Sequence, residues 1–210
     1  MTENIERFWG QLYQENNTPW ESEQGTCPYL SGILSKINNP NAIKQILLPG
    51  CGRALNLQFI LKHFPQTHIT CIDLVPETKQ LSFDYHSKII SKKAWEQRIT
   101  WESADYFSLK FNKLFDLVIE RAFFCAIPTE LARKYINTLN TKITLNGYYA
   151  GVYYLNNTIK TINSDEPPFK WPLDKWKVLL ENQNFKNIEL EDFNLEQAPA
   201  TFGAIWKKIK

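Results

Sequence analysis

Apolar and polar positions follow two rhythms along the 210-residue chain. Near the start, Ile5, Phe8, Trp9, Leu12 and Tyr13 recur every three or four positions, which places them on one face of a helix that Thr2 can cap. The stretch "NNTPWESEQGTCP" holds two prolines and a glycine and reads as a loop. Residues 29–37 return to helical spacing. From there strand-like and helix-like runs alternate. Strands are predicted at 44–49, 68–74, 98–103, 115–121 and 146–155. Helices are predicted at 54–64, 76–95, 128–140 and 172–183, two of them with a proline at an early position. The runs 185–195 and 201–210 read as a final antiparallel pair. This alternation predicts an α/β fold: a doubly wound, Rossmann-like, mostly parallel seven-stranded sheet with helices on both faces and an antiparallel C-terminal edge strand pair. No repeat or long linker divides it, so residues 1–210 are expected to form a single domain.

Composition narrows the function. A formal net charge of +2 argues against a nucleic-acid binder with a broad basic face. No apolar run approaches the roughly 20 residues of a membrane span, and "MTENIERFWG" has acids and aromatics where a secretory signal has a basic and apolar start. Cys27, Cys51, Cys71 and Cys125 are scattered singly, which fits reduced thiols in a cytoplasmic protein. No His, Cys or Asp set has metal-ligand spacing. His63, His68 and His86 fall away from the strand ends and are read as surface or core residues.

In a doubly wound sheet, ligands sit beyond the carboxyl ends of the strands, where strand order reverses. "ILLPGCGRALN", residues 46–56, lies at such an end. Gly50 and Gly52 let backbone approach a ligand closely, and the following helix aims its N-terminus there. A nicotinamide dinucleotide asks for a third glycine, but Leu55 occupies that position. Asp73 ends the second strand about 20 residues on, where a carboxylate can accept from ribose hydroxyls or cap the next helix. Ala104 and Asp105 follow the third strand, where an acid can accept from the adenine amine or serve as an ordinary loop residue. Together these describe a nucleoside site without a diphosphate cradle. S-adenosylmethionine suits it better than a dinucleotide.

Three blocks then resemble the thiopurine S-methyltransferase superfamily of S-adenosylmethionine-dependent enzymes, which includes halide and thiol methyltransferases. "FWGQLYQENNTPWE" is similar to its Trp-rich N-terminal segment, "LLPGCGRALN" to its glycine turn, and "FDLVIERAFFCAIP" to its most specific block. The resemblance implies that Trp9 through Trp20, within an N-terminal helical cap of residues 1–40, fold over the cofactor. It implies that Gly50 lies against the methionine moiety, that Asp73 is the ribose acid, and that Ala104 and Asp105 form the adenine edge. Arg121 would stand near the methionine carboxylate or the substrate and is the one catalytic candidate. The chain departs from the pattern at Asn56, where related turns often carry an acid, and at Glu120, where Asp is common.

The chemistry implied is methyl transfer to a small-molecule acceptor, most readily a thiol. A thiol of pKa about 8.5 is already partly thiolate at neutral pH and needs no strong base. An oxygen or nitrogen acceptor, or cofactor binding without turnover, are the alternatives. Arg121 ends an apolar strand and needs an anionic partner, either a ligand or an internal acid such as Glu120 or Asp116. Trp9, Tyr13, Trp20, Phe123, Phe124, Tyr153 and Trp171 are candidates for an aromatic pocket, and "NSDEPPFKWP", residues 163–172, for a lid.

Overall fold

The computed structural model describes residues 2–21, 27–156, 167–169, 171–193, 195 and 201–210. Helices α1 (Thr2–Gln14) and α2 (Pro28–Ser35) precede the sheet. The sheet is built from β1 (Gln45–Pro49), β2 (His68–Asp73), β3 (Ile99–Ser103), β4 (Phe115–Arg121), β5 (Ile143–Asn156), β7 (Phe185–Asp192) and β8 (Thr201–Lys208), in the spatial order β3-β2-β1-β4-β5-β8-β7. A two-residue strand, β6 (Trp171–Pro172), adds to the end of β5.

β1 to β5 are parallel. The central ones are covered on both faces, which is why they read as continuous apolar runs. Successive residues serve opposite cores. Ile46, Leu48, Leu117, Ile119 and Val152 pack against α2, α3 (Leu57–His63) and Trp95 of α5 (Lys92–Arg98). Leu47, Val118, Tyr149, Tyr153 and Trp206 pack against α6 (Ala132–Lys142) and α7 (Leu173–Glu181).

The predicted C-terminal pair is antiparallel, but the later strand lies inside. β8 runs between β5 and β7, so β7 is the edge. The predicted helix at 76–95 is two helices, α4 (Glu77–His86) and α5. Ser91 starts the second by accepting a hydrogen bond from Ala94 N at 3.2 Å. The break lets both Ile90 and Trp95 enter the core.

Strand order reverses between β1 and β4, since β1 leads outward to β2 and β3 while β4 leads to β5. The crevice expected at that point lies beyond Pro49, Asp73, Ser103 and Arg121.

Candidate functional site

A cavity of about 600 Å³ occupies that crevice. Trp9, Trp20, Gly50, Asp73, Ala104, Asp105 and Arg121 all line it. Gly52 lines a second cavity of about 80 Å³ beside it, together with Gly50, Asn56, Glu21 and Arg121. Among the described residues, no histidine lines either cavity, and no three His, Cys, Asp or Glu side chains cluster as metal ligands.

The turn after β1 is tightly wound. Gly50 and Gly52 have φ of 54° and 52°, and Ala54 has 49°. The left-handed region costs a residue with a Cβ roughly 1–2 kcal/mol. A Cβ at Gly50 would overlap the Phe123 ring, and one at Gly52 the Tyr13 hydroxyl. Ala54 is held by its own N–H to the Cys51 carbonyl (2.8 Å) and by His86, whose Nε2 donates to the Ala54 carbonyl (3.0 Å). Burial lowers the His86 pKa, which keeps the ring neutral. His86 is thus a core residue with a structural task.

Asp73 is buried, 8% exposed. Its Oδ2 accepts from Gly52 N at 2.7 Å and its Oδ1 from Val75 N at 2.9 Å. It therefore ties the glycine turn to β2 and orders the approach to α4, while each oxygen keeps a second lone pair for the cavity. Burial raises its pKa from 3.8 to about 6, against the two N–H bonds. Ala104 N donates to the Asp73 carbonyl (3.0 Å), and Asp105 Oδ1 accepts from Phe107 N (2.9 Å), which shapes the β3 end of the wall.

Arg121 faces both cavities. Neither acid that could have neutralised it does so. Asp116 accepts from Lys44 N and Gln45 N at 2.8 and 3.0 Å. Glu120, which also lines the smaller cavity, accepts from the Tyr135 hydroxyl at 2.9 Å and forms no ion pair with Arg121 among the described residues. Among the described residues Arg121 has no ion pair and its buried Nε has no hydrogen-bond partner; its polar neighbour is the Tyr154 hydroxyl. Ala122, at φ 63°, turns the chain so that Phe123 enters the cavity.

Burial raises the Glu120 pKa from 4.5 to about 8. The folded protein then keeps this proton to higher pH than the unfolded chain does. The stability it contributes is full below about 4.5 and is lost as pH rises toward 8, at up to about 1.4 kcal/mol per pH unit. Glu120→Gln should flatten the fall in stability between pH 7 and 8 in urea titrations. The same slope in both proteins would assign it to another group.

The N-terminal segment forms the outer wall. Trp9 and Trp20 meet edge to face at 5.2 Å, and Tyr13 and Trp20 at 5.8 Å. Burial raises the Tyr13 hydroxyl far above its ordinary range, helped by Asp73 and Glu21, so it remains neutral. Glu21 forms an ion pair with Arg53 of the glycine turn. This joins the first and second sequence blocks directly.

Three aromatic candidates lie elsewhere. Tyr153 packs on Trp176 at 4.6 Å and Phe124 on Trp171 at 5.5 Å, both in the core beneath α6 and α7. The strand period explains Tyr153: its neighbour Tyr154 takes the cavity face. Tyr106 and Phe107 also line the cavity and were legible only as loop residues after β3. Of the candidate lid, residues 163–166 and 170 lie outside the described residues, while Pro167 and Pro168 line the cavity.

Asn56 has a purpose of its own. Its Oδ1 accepts from Cys27 N (3.2 Å) and its Nδ2 donates to the Cys27 carbonyl (3.1 Å). An ionised acid can accept but cannot donate, so only the amide bridges both groups.

A family model described as thiopurine S-methyltransferase matches residues 4–204. The chain is 22% identical to thiocyanate methyltransferase 1 of Brassica oleracea over 184 residues, 88% of this chain and 76% of that protein. It is 21% identical to a probable thiol methyltransferase 2 of Arabidopsis thaliana over 199 residues, 95% of this chain and 82% of that protein. In fold it is similar to the Burkholderia thailandensis 1,6-didemethyltoxoflavin-N1-methyltransferase, solved with bound 1,6-didemethyltoxoflavin and S-adenosylhomocysteine. The TM-score is 0.78 and the identity 12%, covering 98% of this chain and 88% of that one.

Proposed function

The chain belongs to the thiopurine S-methyltransferase family of S-adenosylmethionine-dependent methyltransferases, and from that premise we propose that its acceptor is a small molecule with a thiol or similarly soft nucleophile. The observation that carries this reading is the cavity wall, where Trp9, Trp20, Tyr106, Phe107, Phe123 and Tyr154 present aromatic faces. Such faces favour both a cation and polarisable sulfur. The thiol and thiocyanate methyltransferases among its relatives point the same way.

The residues present fit the cofactor. Gly50 and Gly52 bring bare backbone to the cavity walls, Asp73, with one accepted bond on each oxygen, lines the larger cavity, and Arg121 has an unpartnered buried Nε. Asp73 would accept from the ribose hydroxyls, and Ala104 and Asp105 would bound the adenine. Gly50 and Gly52 would lie along the methionine end, with Arg121 at its carboxylate. When bound, S-adenosylmethionine supplies an electrophilic methyl group on a sulfonium.

The protein's part is orientation and exclusion of water. Holding two reactants in line can supply roughly 7–11 kcal/mol. α1 and the segment through Trp20 cover the cavity and bring Trp9 and Trp20 against its contents. A thiol acceptor is already partly ionised near neutral pH, so the aromatic wall needs no general base of its own. The net charge of +2 suits a small-molecule acceptor rather than nucleic acid, and among the described residues no helix is long and apolar enough to cross a membrane. No disulfide joins the four cysteines, which suits a reducing, cytoplasmic setting. Methyl transfer to small thiols beside matched alcohols and amines tests the reading: thioether products support it, and transfer confined to oxygen or nitrogen overturns it.

A further inference from the structure

The crevice occupies one end of the sheet. The other end, where β1 to β5 and β7 begin and β8 finishes, has a chemistry of its own. Three large apolar side chains stand open there: Leu114 before β4 is 50% exposed, Leu145 at the start of β5 61%, and Ile209 after β8 46%. β4, β5 and β8 are successive neighbours in the sheet, about 4.8 Å from strand to strand, so the three stand on adjoining strand ends. The backbone holds Leu145 outward. The step from Phe115 to Leu117 in β4 spans Ile143 to Tyr148 in β5, and the surplus residues bulge, with Leu145 and Asn146 exposed and Asn146 at φ 67°. Lysines surround this group. Lys44 precedes β1, Lys113 precedes Leu114, Lys142 closes α6, Lys186 lies at the start of β7, and Lys207 and Lys208 end β8. Lys142 and Lys208 donate to backbone carbonyls, which leaves their charge in place. Among the described residues none of the six forms an ion pair. Of the acids nearby, Asp116 is engaged by Lys44 N and Gln45 N, Glu181 closes α7, and Glu102 lies within electrostatic reach of Lys113. The excess at this end is positive although the whole chain carries only +2, because acids such as Glu21, Asp73 and Asp105 belong to the crevice end.

We propose that this end of the sheet docks on an anionic lipid bilayer, with Leu114, Leu145 and Ile209 entering the headgroup layer and the lysines around them meeting its phosphate and carboxylate groups. A single exposed leucine is ordinary on a protein surface. Three on adjoining strand ends inside a ring of unneutralised lysines match a surface that offers anions outside and hydrocarbon just beneath. Lysine stems lie along the apolar layer while their ammonium groups stay among the headgroups. Nucleic acid supplies the anions but nothing to cover the leucines. The contact is superficial, since among the described residues no helix is long and apolar enough to cross a membrane. The cavity opens at the opposite end of the strands, so a docked molecule keeps it facing water, and the proposal stands apart from the choice of methyl acceptor.

The test is co-sedimentation of the full chain, at low salt, with vesicles of phosphatidylcholine alone and of phosphatidylcholine carrying about 30% phosphatidylserine. The anionic vesicles should bind the protein at least about tenfold more strongly, and added salt should shrink that difference. Leu145→Ser, at a position too exposed to matter to the core, should weaken binding to the anionic vesicles about tenfold. Lys186→Gln combined with Lys207→Gln should weaken it by about tenfold or more. Equal binding of wild type to both kinds of vesicle overturns the proposal, and that comparison needs no variant. Binding by charge alone overturns it too. In that case Leu145→Ser holds anionic vesicles as wild type does, and short duplex DNA displaces them from both proteins equally.

Discussion

Asp73→Ala should weaken S-adenosylmethionine binding by about 1.5–3 kcal/mol, roughly 10- to 150-fold. Two effects combine. The ribose hydroxyls lose a charged acceptor, and the turn that presents Gly52 loses its anchor, because Asp73 accepts from both Gly52 N and Val75 N. The second effect also lowers stability, by about 1–3 kcal/mol for backbone groups left without partners. Affinity is therefore measured at low temperature, on protein whose circular dichroism matches wild type. The raised pKa of Asp73, about 6, provides an independent check. Wild-type affinity should decline as pH falls through 6 and the carboxylate gains its proton, and the variant should lack that decline. A folded Asp73→Ala protein with unchanged affinity would leave Asp73 as a builder of the turn and nothing more.

Arg121→Lys should reduce kcat/KM tenfold or more while the protein folds normally. Lysine keeps the charge but not the planar fork that can address a carboxylate through two parallel bonds, and a weakened charge-assisted pair costs about 2 kcal/mol. The alternative role, a structural ion pair, makes the opposite prediction of a lower melting temperature with near-normal turnover. The geometry already disfavours it, since Asp116 and Glu120 are both bonded by other groups and neither forms an ion pair with Arg121 among the described residues. Measuring melting temperature and kcat/KM on one preparation separates the two roles.

Much of this site was readable along the chain because it is built from strand ends. Gly50, Asp73, Ala104, Asp105 and Arg121 each follow an apolar run, and a parallel sheet brings such ends to one edge whatever the details of the helices. What escaped depends on contacts that periodicity does not carry. Tyr153 and Tyr154 are adjacent aromatics on one strand, and only register decides which faces the cavity. The break at Ser91 is set by the burial of Ile90 and Trp95 together, not by any proline or glycine. β8 enters between β5 and β7 although it is last in sequence, a choice made by pairing partners rather than by its own pattern. Glu21 sits in an aperiodic loop, and its value appears only when Arg53 and the second cavity are placed beside it.

The central claim is that this aromatic cavity transfers a methyl group to a soft nucleophile without a strong base. Its most direct test is a matched pair of acceptors, a small aromatic thiol and the phenol of the same shape, each incubated with the protein and S-adenosylmethionine labelled on the methyl group. The account predicts labelled thioether and stoichiometric S-adenosylhomocysteine from the thiol, at a rate at least about 100-fold above that for the phenol at pH 7, as an aromatic thiol is already substantially ionised there while the phenol ionises near 10, and sulfur is the softer nucleophile. Equal rates, or labelled ether without thioether, would contradict it.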